Sequence, residues 1–447
     1  MSRLSTSRLV VVVLCLSAPL FADDGDLDPT FWSDGKLTVS ATADLAFGGL
    51  ATDAGGQLAV AYSYVAAGVP MRVSVWRSVS DSTLGTTCPV VPHSGRDTWV
   101  VDLAFDASGR LLALARDYYA PDTEDWYVLA YRFPDCELDT TFGGDGVVTF
   151  GSLTPGLSAY WRLRPLADGT ILVTGYNGVY GTYGCRVQVI SFNPNGSTGN
   201  VLCAPPSLFA GEIFGVDATW APNGHVVATG NGWGTGYDFL AVDFAPDGTV
   251  AGVITVPFDL GGGNEDQAAA IVTTADGRSV VVGWAAGGGA PEWSAAIALF
   301  HWSAAGVLEL DPSFSGDGKL SFTFGGRPWN QLADVTAQGD GKILVAGLAR
   351  WLMDDRGMAV ARLHLDGSFD SEFGPSGSGQ GIVDFDEASP YDDLAYRVAL
   401  QNGLVVLGGT VDIANDVQSV GVARLLNSYV FADGFEVPQA PGWLWVD

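Results

Sequence analysis

The chain has 447 residues, of which 47% are hydrophobic, 11% aromatic and 16% charged, with a formal net charge of −29. This composition excludes an intrinsically disordered chain, which lacks the apolar and aromatic residues that build a core. Because 50 acidic side chains outnumber 21 basic ones, it also excludes a protein that holds nucleic acid by neutralising phosphates. No apolar run approaches the roughly 18–20 residues of a membrane-spanning helix, so no transmembrane segment is expected.

The amino terminus is typical of a secretory signal peptide. Arg3 and Arg8 precede the apolar run 9–20, and the small residue Ala22 is followed by an acidic stretch. A basic region, a short apolar region and a small residue at its end form the signature of a cleaved export signal. The mature protein is therefore expected to be secreted, periplasmic or on the cell surface, and monomeric. The expected division is a signal peptide (1–22), a folded domain (23–428) and a C-terminal tail (429–447).

A turn signal recurs seven times along the chain. In each copy a small or polar residue and a glycine precede an apolar run, and successive glycines lie 53 to 64 residues apart. Such pairs favour a tight hairpin turn with positive φ. A second hairpin follows each first one, so each repeat holds about four strands. The seven pairs are Gly55-Gly56, Ser108-Gly109, Asp168-Gly169, Asn223-Gly224, Asp276-Gly277, Asp340-Gly341 and Asn402-Gly403.

A second element recurs in phase with the repeat. It reads Leu27-Asp28-Pro29-Thr30-Phe31 in its first copy, and the other copies begin at Leu138, Leu310 and Phe369. The aspartate of this element can cap a tight turn, and the phenylalanine can anchor the turn to the sheet.

Four-stranded units that cannot bury their faces alone must stack, and seven of them can close into a ring. The chain begins with a lone outer element, 27–40, and its last unit ends without one. The sequence therefore predicts an all-β fold: a seven-bladed β-propeller closed by an N-terminal outer strand that completes the last blade. The alternative, an open stack of sheets, would leave both end faces bare.

The motifs LDPTF, LDTTFGGDGVV, LDPSFSGDGKL, DGKILVAG and MAVARLHLDGSFDSEFG resemble the delta-60 repeat family of exported bacterial propeller-like proteins. The resemblance covers residues 27–428, although the third and fourth units lack the LDxTFG element. It implies export and a β-propeller fold. The resemblance does not indicate an enzymatic activity, and it assigns no catalytic residue to this chain.

A polar column precedes the recurrent turns. The position seven residues before each turn glycine reads Gly49, Asp102, Arg162, Asp217, Ala270, Asp334 and Tyr396. If these strands are innermost, the polar members would surround the mouth of a central channel. Three carboxylates there could bind a cation such as calcium, or a basic or hydroxylated ligand. The interpretation that the sequence favours is that each aspartate accepts backbone hydrogen bonds from a neighbouring blade. No cofactor other than calcium is expected.

Four cysteines remain after removal of the signal peptide, and they allow three disulfide connectivities. Cys185 and Cys203 flank one predicted hairpin, which makes a cross-strand disulfide plausible. Cys88 with Cys136 would then link the outer rims of neighbouring blades.

Aromatic residues in the predicted loops could stack on sugars, anchor a protein partner or cap the ends of blades. They are Tyr118, Tyr119, Tyr176, Tyr180, Tyr183, Trp233, Trp293, Trp329, Trp351, Trp443 and Trp445.

Three functions fit these features. The first is a non-catalytic exported scaffold that binds an extracellular glycan, polymer or protein. The second is a hydrolase or lyase that uses Asp102, Asp217 and Asp334 at the channel mouth. The third is a structural cell-surface module sorted by its C-terminal tail. No G-x-S-x-G or H-E-x-x-H motif is present, so the sequence favours the scaffold over an enzyme.

Overall fold

The computed structural model shows an all-β chain. Within the described residues there are two short 3-10 turns, Pro206–Leu208 and Pro375–Gly377, and no α-helix, hence no helix able to cross a membrane. The expected signal peptide and C-terminal tail lie outside the described residues. The described residues are 23–39, 44–64, 72–76, 86–89, 97–118, 124–132, 135–153, 158–179, 182–209, 212–233, 238–289, 291–351, 356–385, 393–413 and 417–427.

The strands follow the recurrent hairpins of the sequence. They are β1 (Lys36–Val39), β2 (Leu45–Thr52), β3 (Leu58–Tyr64), β4 (Arg72–Trp76), β5 (Thr86–Pro89), β6 (Asp97–Phe105), β7 (Leu111–Tyr118), β8 (Glu124–Arg132), β9 (Glu137–Leu138), β10 (Val147–Leu153), β11 (Ser158–Pro165), β12 (Ile171–Val179), β13 (Thr182–Phe192), β14 (Thr198–Ala204), β15 (Glu212–Trp220), β16 (Val226–Trp233), β17 (Phe239–Phe244), β18 (Val250–Val256), β19 (Gly261–Thr273), β20 (Ser279–Gly287), β21 (Trp293–Trp302), β22 (Leu308–Leu310), β23 (Lys319–Phe322), β24 (Trp329–Ala337), β25 (Ile343–Arg350), β26 (Arg356–Leu363), β27 (Gln380–Val383), β28 (Leu394–Gln401), β29 (Leu404–Ile413) and β30 (Val417–Leu425).

These strands form six sheets in a β-propeller arrangement. Four are separate four-stranded blades: β2-β3-β4-β5, β11-β12-β13-β14, β15-β16-β17-β18 and β1-β30-β29-β28. A five-stranded sheet contains β6, β7, β8 and β10, with β9 paired to β8. A nine-stranded sheet contains β19 to β27, and a single parallel pair, Trp293 with Trp329, joins its two antiparallel halves.

The prediction of seven separate four-stranded blades is therefore wrong in number, because only four sheets have that form. Two features account for the difference. The residues that lead into two of the LDxTF elements form the extra short strands β9 and β22, which pair with β8 and β21. The close approach of Trp293 to Trp329 then merges two neighbouring units into one sheet. Both depend on individual backbone contacts that a repeat pattern does not specify.

The arrangement closes on itself. The first strand of each unit contacts its successor in the order β2, β6, β11, β15, β19, β24 and β28, and β28 contacts β2. As predicted, the N-terminal element completes the last sheet: β1 pairs antiparallel with β30, from Lys36 opposite Ala423 to Val39 opposite Val420. A hydrophobic cluster that includes Leu37 and residues of β2, β3, β29 and β30 packs the first sheet against the last. Closure leaves few exposed sheet edges.

The LDxTF elements have the geometry that the sequence predicts. In the first copy, Asp28 accepts a hydrogen bond from the N–H of Thr30 at 2.9 Å, and Phe31 is buried. The same bond recurs from Thr141 to Asp139 at 3.1 Å. The last two copies repeat it, and the phenylalanines of the second, third and fourth copies, Phe142, Phe314 and Phe373, are fully buried. Each element therefore fixes a turn through its carboxylate and anchors that turn through its ring.

Both predicted disulfides are present. Cys185 is bonded to Cys203 within one sheet, and Cys88 is bonded to Cys136 between two neighbouring sheets. Cys88 and Cys136 are both buried. The second bridge therefore links the outer part of one sheet to the next.

Replacing both Cys88 and Cys136 with serine should lower the free energy of unfolding by about 2–4 kcal/mol. The bridge closes a sequence separation of 48 residues, against 18 for Cys185–Cys203, so the chain-entropy argument predicts a smaller loss for the matched Cys185→Ser/Cys203→Ser variant. Urea unfolding of both variants, without added oxidant or reductant, measures the two losses of free energy. A larger loss from the Cys185/Cys203 pair would contradict this order.

Candidate functional site

The innermost strands share one irregularity. Each has a register shift at the same place, as in β6 between Val100 and Asp102 and in β11 between Tyr160 and Arg162. A β-bulge leaves one residue unpaired and redirects its side chain. The bulge residues are Gly48, Val101, Trp161, Val216, Ala269, Ala333 and Tyr396.

The polar column lies directly after these bulges. In the structure it consists of Gly49, Asp102, Arg162, Asp217, Ala270, Asp334 and Arg397.

The sequence put Tyr396 in the last place of this column, and that placement is wrong. Gln401 pairs directly with Leu404 across the two-residue turn Asn402-Gly403. The other hairpins are one residue longer, as where the N–H of Asp106 bonds the carbonyl of Arg110. Counting back from the glycine therefore misses the column by one residue in the last unit.

Each aspartate of the column ties one innermost strand to the next. Asp102 accepts the N–H of Leu163 at 2.9 Å, and Asp217 accepts the N–H of Ile271 at 3.0 Å. Asp334 repeats the contact with the N–H of Val398 at 3.0 Å. In each case the donor is the residue that follows the column position in the next unit. This is the backbone role that the sequence favoured over a ligand site.

Arginines neutralise two of these carboxylates near the axis. Arg164 binds Asp217 through Nη2 at 2.7 Å and through Nε at 3.2 Å. Arg162 lies 3.9 Å from Asp217 through Nε. Its Nη2 lies 3.4 Å from Asp334 and donates to the carbonyl of Ala333 at 2.8 Å, three units further round the ring.

The third carboxylate is neutralised in the same way. Arg397 contacts Asp102 through both Nε and Nη2 at 2.9 Å, although the two residues are 295 positions apart. Three carboxylates and three guanidinium groups thus meet across the axis with no net charge. This set, called the axial network below, consists of Asp102, Arg162, Arg164, Asp217, Asp334 and Arg397.

Burial and charge act in opposite directions on Asp217. Its complete burial would raise the pKa of the carboxyl group, but the charges of Arg164 and Arg162 outweigh burial and hold the pKa below its ordinary value. Burial lowers the pKa of Arg164, but the charge of Asp217 more than reverses this. Asp217 is therefore ionised at neutral pH and is a poor proton donor.

The axial network separates two cavities. The larger, called the cup below, has a volume of about 700 Å³ and lies where the innermost strands begin. The smaller, of about 350 Å³, is lined by the later halves of the same strands and includes Asp102 and Asp334. Arg162 and Arg397 line both. Within the described residues, no group of three or more His, Cys, Asp or Glu is arranged to hold a metal ion.

Aromatic side chains dominate the cup. Two of them occupy bulge positions: Trp161 is 44% exposed and Tyr396 39% exposed. Phe47 stacks on Tyr396 with ring centroids 6.1 Å apart. The aromatic residues of the cup are Phe47, Trp99, Trp161, Tyr176, Phe214 and Tyr396.

Only Tyr176 of these six was among the loop aromatics predicted to bind a ligand. Trp293 stacks between Trp284 and Trp329, away from the cup, and Trp351 is exposed near Arg327. The remaining predicted loop and tail aromatics, or their side chains, lie outside the described part of the chain. The sequence did contain a signal for the aromatic residues of the cup. The residue just before the polar column is the bulge position, and it is aromatic at Trp161 and Tyr396.

A comparison with known families agrees with the propeller arrangement over a short stretch. Residues 338–373 match the model of a domain of unknown function, the DUF5122 beta-propeller. No curated protein sequence matches the chain significantly.

Solved structures match most of the chain at low sequence identity. A protein of unknown function from Dyadobacter fermentans is 12% identical, with a TM-score of 0.44, and the match covers 88% of this chain and 98% of that one. The polysaccharide lyase Uly1 is 10% identical, with a TM-score of 0.48 and coverage of 90% and 99%. A xylan beta-1,4-xylosidase from Bacillus halodurans is 9% identical, with a TM-score of 0.34 and coverage of 86% and 96%.

Proposed function

We propose that the protein is an exported, non-catalytic binding scaffold of the delta-60 repeat type, and that the cup receives part of an extracellular glycan. The observation that carries this proposal is the cup itself, a cavity of about 700 Å³ with six aromatic residues in its lining. The apolar faces of sugar rings stack on aromatic side chains, and concave sites with a few polar groups suit small ligands and single glycan chains. A protein partner would favour a larger and flatter contact area.

The state of the carboxylates supports binding rather than catalysis. A glycoside hydrolase of the usual type needs a carboxyl group that stays protonated near neutral pH and acts as the general acid. Each aspartate of the axial network accepts a backbone N–H and lies beside an arginine, and the pKa of Asp217 is held low. The carboxylates of Asp102 and Asp334 line the smaller cavity rather than the cup.

Export is supported by the two disulfides, which form and persist in oxidising compartments. The signal peptide proposed for residues 1–22 agrees with this location. The domain division at residues 23–428 is part of the same proposal.

Replacing Trp161 with alanine should weaken glycan binding at least about tenfold, because exposed aromatic anchors contribute much of the binding energy at such sites. Trp220→Ala is a matched control, since Trp220 is also 44% exposed but is not part of the cup. Affinity electrophoresis against a panel of soluble polysaccharides, followed by calorimetric titration of each binder, measures the effect. The proposal fails if no polysaccharide binds, or if the two variants lose binding equally.

A further inference from the structure

We infer that the ligand of the cup is an acidic glycan whose carboxylate or sulfate groups bind the cup's arginines. This inference rests on the proposed function and names the chemical class of its ligand.

The charged side chains that line the described part of the cup differ in sign from most of those in the chain. Acidic residues outnumber basic ones by 50 to 21 in the whole sequence. Among the described residues of its lining, however, the cup has Arg116, Arg162 and Arg397 and neither Asp nor Glu. Although aspartates of the axial network pair with Arg162 and Arg397, both guanidinium groups line the cup and can offer N–H donors to an anionic group there.

The axial network explains how the arginines can be held without blocking the cup. Their carboxylate partners, Asp102 and Asp334, line the smaller cavity on the other side. Arg162 contacts its protein partners through Nε and Nη2, and its Nη1 makes no hydrogen bond within the described residues. The guanidinium plane is thereby fixed before a ligand binds. Guanidinium groups match carboxylate and sulfate oxygens through paired N–H donors.

A second polar feature of the cup indicates a ligand with hydroxyl groups. The Oδ1 atom of Asn231 is buried and has no hydrogen-bond partner within the described residues. Asn231 lies in the cup wall. A buried acceptor without a partner costs free energy, and a sugar hydroxyl could satisfy it. Aromatic faces, a hydroxyl acceptor and arginines together match a sugar that carries an anionic group.

The overall charge of −29 limits the kind of polyanion that fits. A nucleic acid needs an extended basic surface, because its affinity comes from many phosphate contacts. Here three arginines lie together in one cavity that also offers stacking surfaces. A glycan with spaced acidic groups can place one or two of them in the cup while its neutral parts contact the aromatics.

The test compares ligands that differ only in charge. Calorimetric titration uses a galacturonate hexasaccharide and its fully methyl-esterified form, and a sulfated galactan oligosaccharide and its desulfated form. At least one acidic member should bind about tenfold or more tightly than its neutral counterpart. Its affinity should fall as salt rises from about 0.05 M to about 0.5 M, since salt screens the attraction. The acidic pair that shows the difference identifies carboxylate or sulfate as the group bound.

A variant locates the effect in the cup. Arg116→Gln should remove most of the preference for the acidic form. Arg132→Gln, at an exposed site outside the cup, should leave the preference intact. Melting temperatures of both variants check that they fold. The comparison of acidic and neutral ligands uses the unaltered protein and does not depend on either variant.

The two proposals fail differently in this experiment. Equal binding of acidic and neutral forms would overturn the inference about charge and leave the glycan scaffold standing. No binding of either acidic ligand would overturn the inference about charge, whereas the glycan scaffold fails only if the wider polysaccharide panel also gives no binder. A preference for the acidic form that survives Arg116→Gln undiminished would overturn the assignment to the cup's arginines.

Discussion

Replacing Arg424 with methionine should lower the free energy of unfolding by about 3–5 kcal/mol, the cost of removing one partner of a buried ion pair. Arg424 is completely buried in β30. Its Nε and Nη2 bind Asp28 at 2.8 and 2.7 Å. Its Nη1 donates to Gln401 at 3.0 Å. Without the arginine, Asp28 would remain buried with no positive partner.

The large effect follows from the position of this pair in the ring. Asp28 belongs to the N-terminal element, and Arg424 belongs to the last strand, 396 positions later. The N–H of Asp28 also bonds the carbonyl of Arg424 at 2.8 Å, and the guanidinium lies over the ring of Phe31 at 4.7 Å. The pair therefore joins the two ends of the described chain and stabilises the closure made by β1 and β30.

The pH dependence of this pair has a defined sign. Burial would raise the pKa of Asp28, but hydrogen bonds from Thr30 and the charge of Arg424 hold it below the ordinary value. A carboxyl group whose pKa is lowered on folding adds stability above its unfolded pKa of about 4. That contribution is lost as the pH falls through the lower pKa of the folded state.

The measurement is urea unfolding of the Arg424→Met variant beside an exposed control. Arg132 pairs with Glu137 at 2.9 Å, but the two side chains are 57% and 69% exposed. Arg132→Met should therefore cost less than about 1 kcal/mol. Adding Asp28→Asn to Arg424→Met should cost less than the sum of the single changes, because the second change removes the unpaired charge. Equal losses at Arg424 and Arg132 would show that this contact does not stabilise the closure.

The same pair illustrates what the sequence could predict. The cap of Asp28 on Thr30 is local, and the recurrence of the motif predicts it. The partner Arg424 lies at the other end of the described chain, and no local pattern indicates it. The repeat also predicted completion of the last sheet by the N-terminal element, because a unit without its outer strand leaves an unpaired edge.

The candidate site was less accessible to sequence reasoning for two physical reasons. The column position in the last unit depends on turn length, and a two-residue turn in place of a three-residue one moved it from Tyr396 to Arg397. The cup residue Trp161 faces the cavity because of a bulge, and a bulge reverses the alternation on which strand patterns depend. Contacts across the axis, such as Arg397 with Asp102, join residues far apart in sequence.

Replacing Asp393 with asparagine should stabilise the protein, and the gain should grow with pH to about 4 kcal/mol above pH 7. Burial raises the pKa of Asp393 to about 7, the charges of Asp384 and Asp412 add to the rise, and the N–H of Phe385 and Lys36 oppose it. The unfolded pKa of aspartate is near 3.9, and each unit of difference corresponds to about 1.36 kcal/mol.

The sign follows from proton binding. Between about pH 4 and pH 7 the unfolded chain releases the proton of Asp393 while the folded protein retains it. Folding therefore becomes less favourable as the pH rises through this window, and the loss is complete above pH 7. Asparagine carries no charge, so the variant does not undergo this loss. At pH 4 the variant and the unaltered protein should have nearly equal stability.

The protein itself provides a precedent for asparagine at this position. Asp393 accepts the N–H of Phe385 at 2.7 Å, and Asn330 accepts the N–H of Phe324 at 3.0 Å at the corresponding place in the preceding unit. The amide of Asn330 donates to the carbonyl of Trp293 at 3.1 Å. The residue that corresponds to Trp293 beside Asp393 is Arg356, whose carbonyl accepts the N–H of Asp393. An asparagine at position 393 can therefore accept the N–H of Phe385 through its side-chain oxygen, and the carbonyl of Arg356 lies nearby to accept its side-chain N–H.

Unfolding by urea at pH 4, 6 and 8 tests this prediction. Asp168→Asn is the matched control, because Asp168 is exposed in a turn and, within the described residues, its carboxylate accepts only the N–H of Thr170, which asparagine can also do. The control should change stability by less than about 0.5 kcal/mol at every pH. A gain at Asp393 that is the same at pH 4 and pH 8 would mean that the side chain's hydrogen bonding, not its charge, sets the cost. A loss of stability at pH 8 would show that the ionised carboxylate is stabilised where it lies, against the raised pKa.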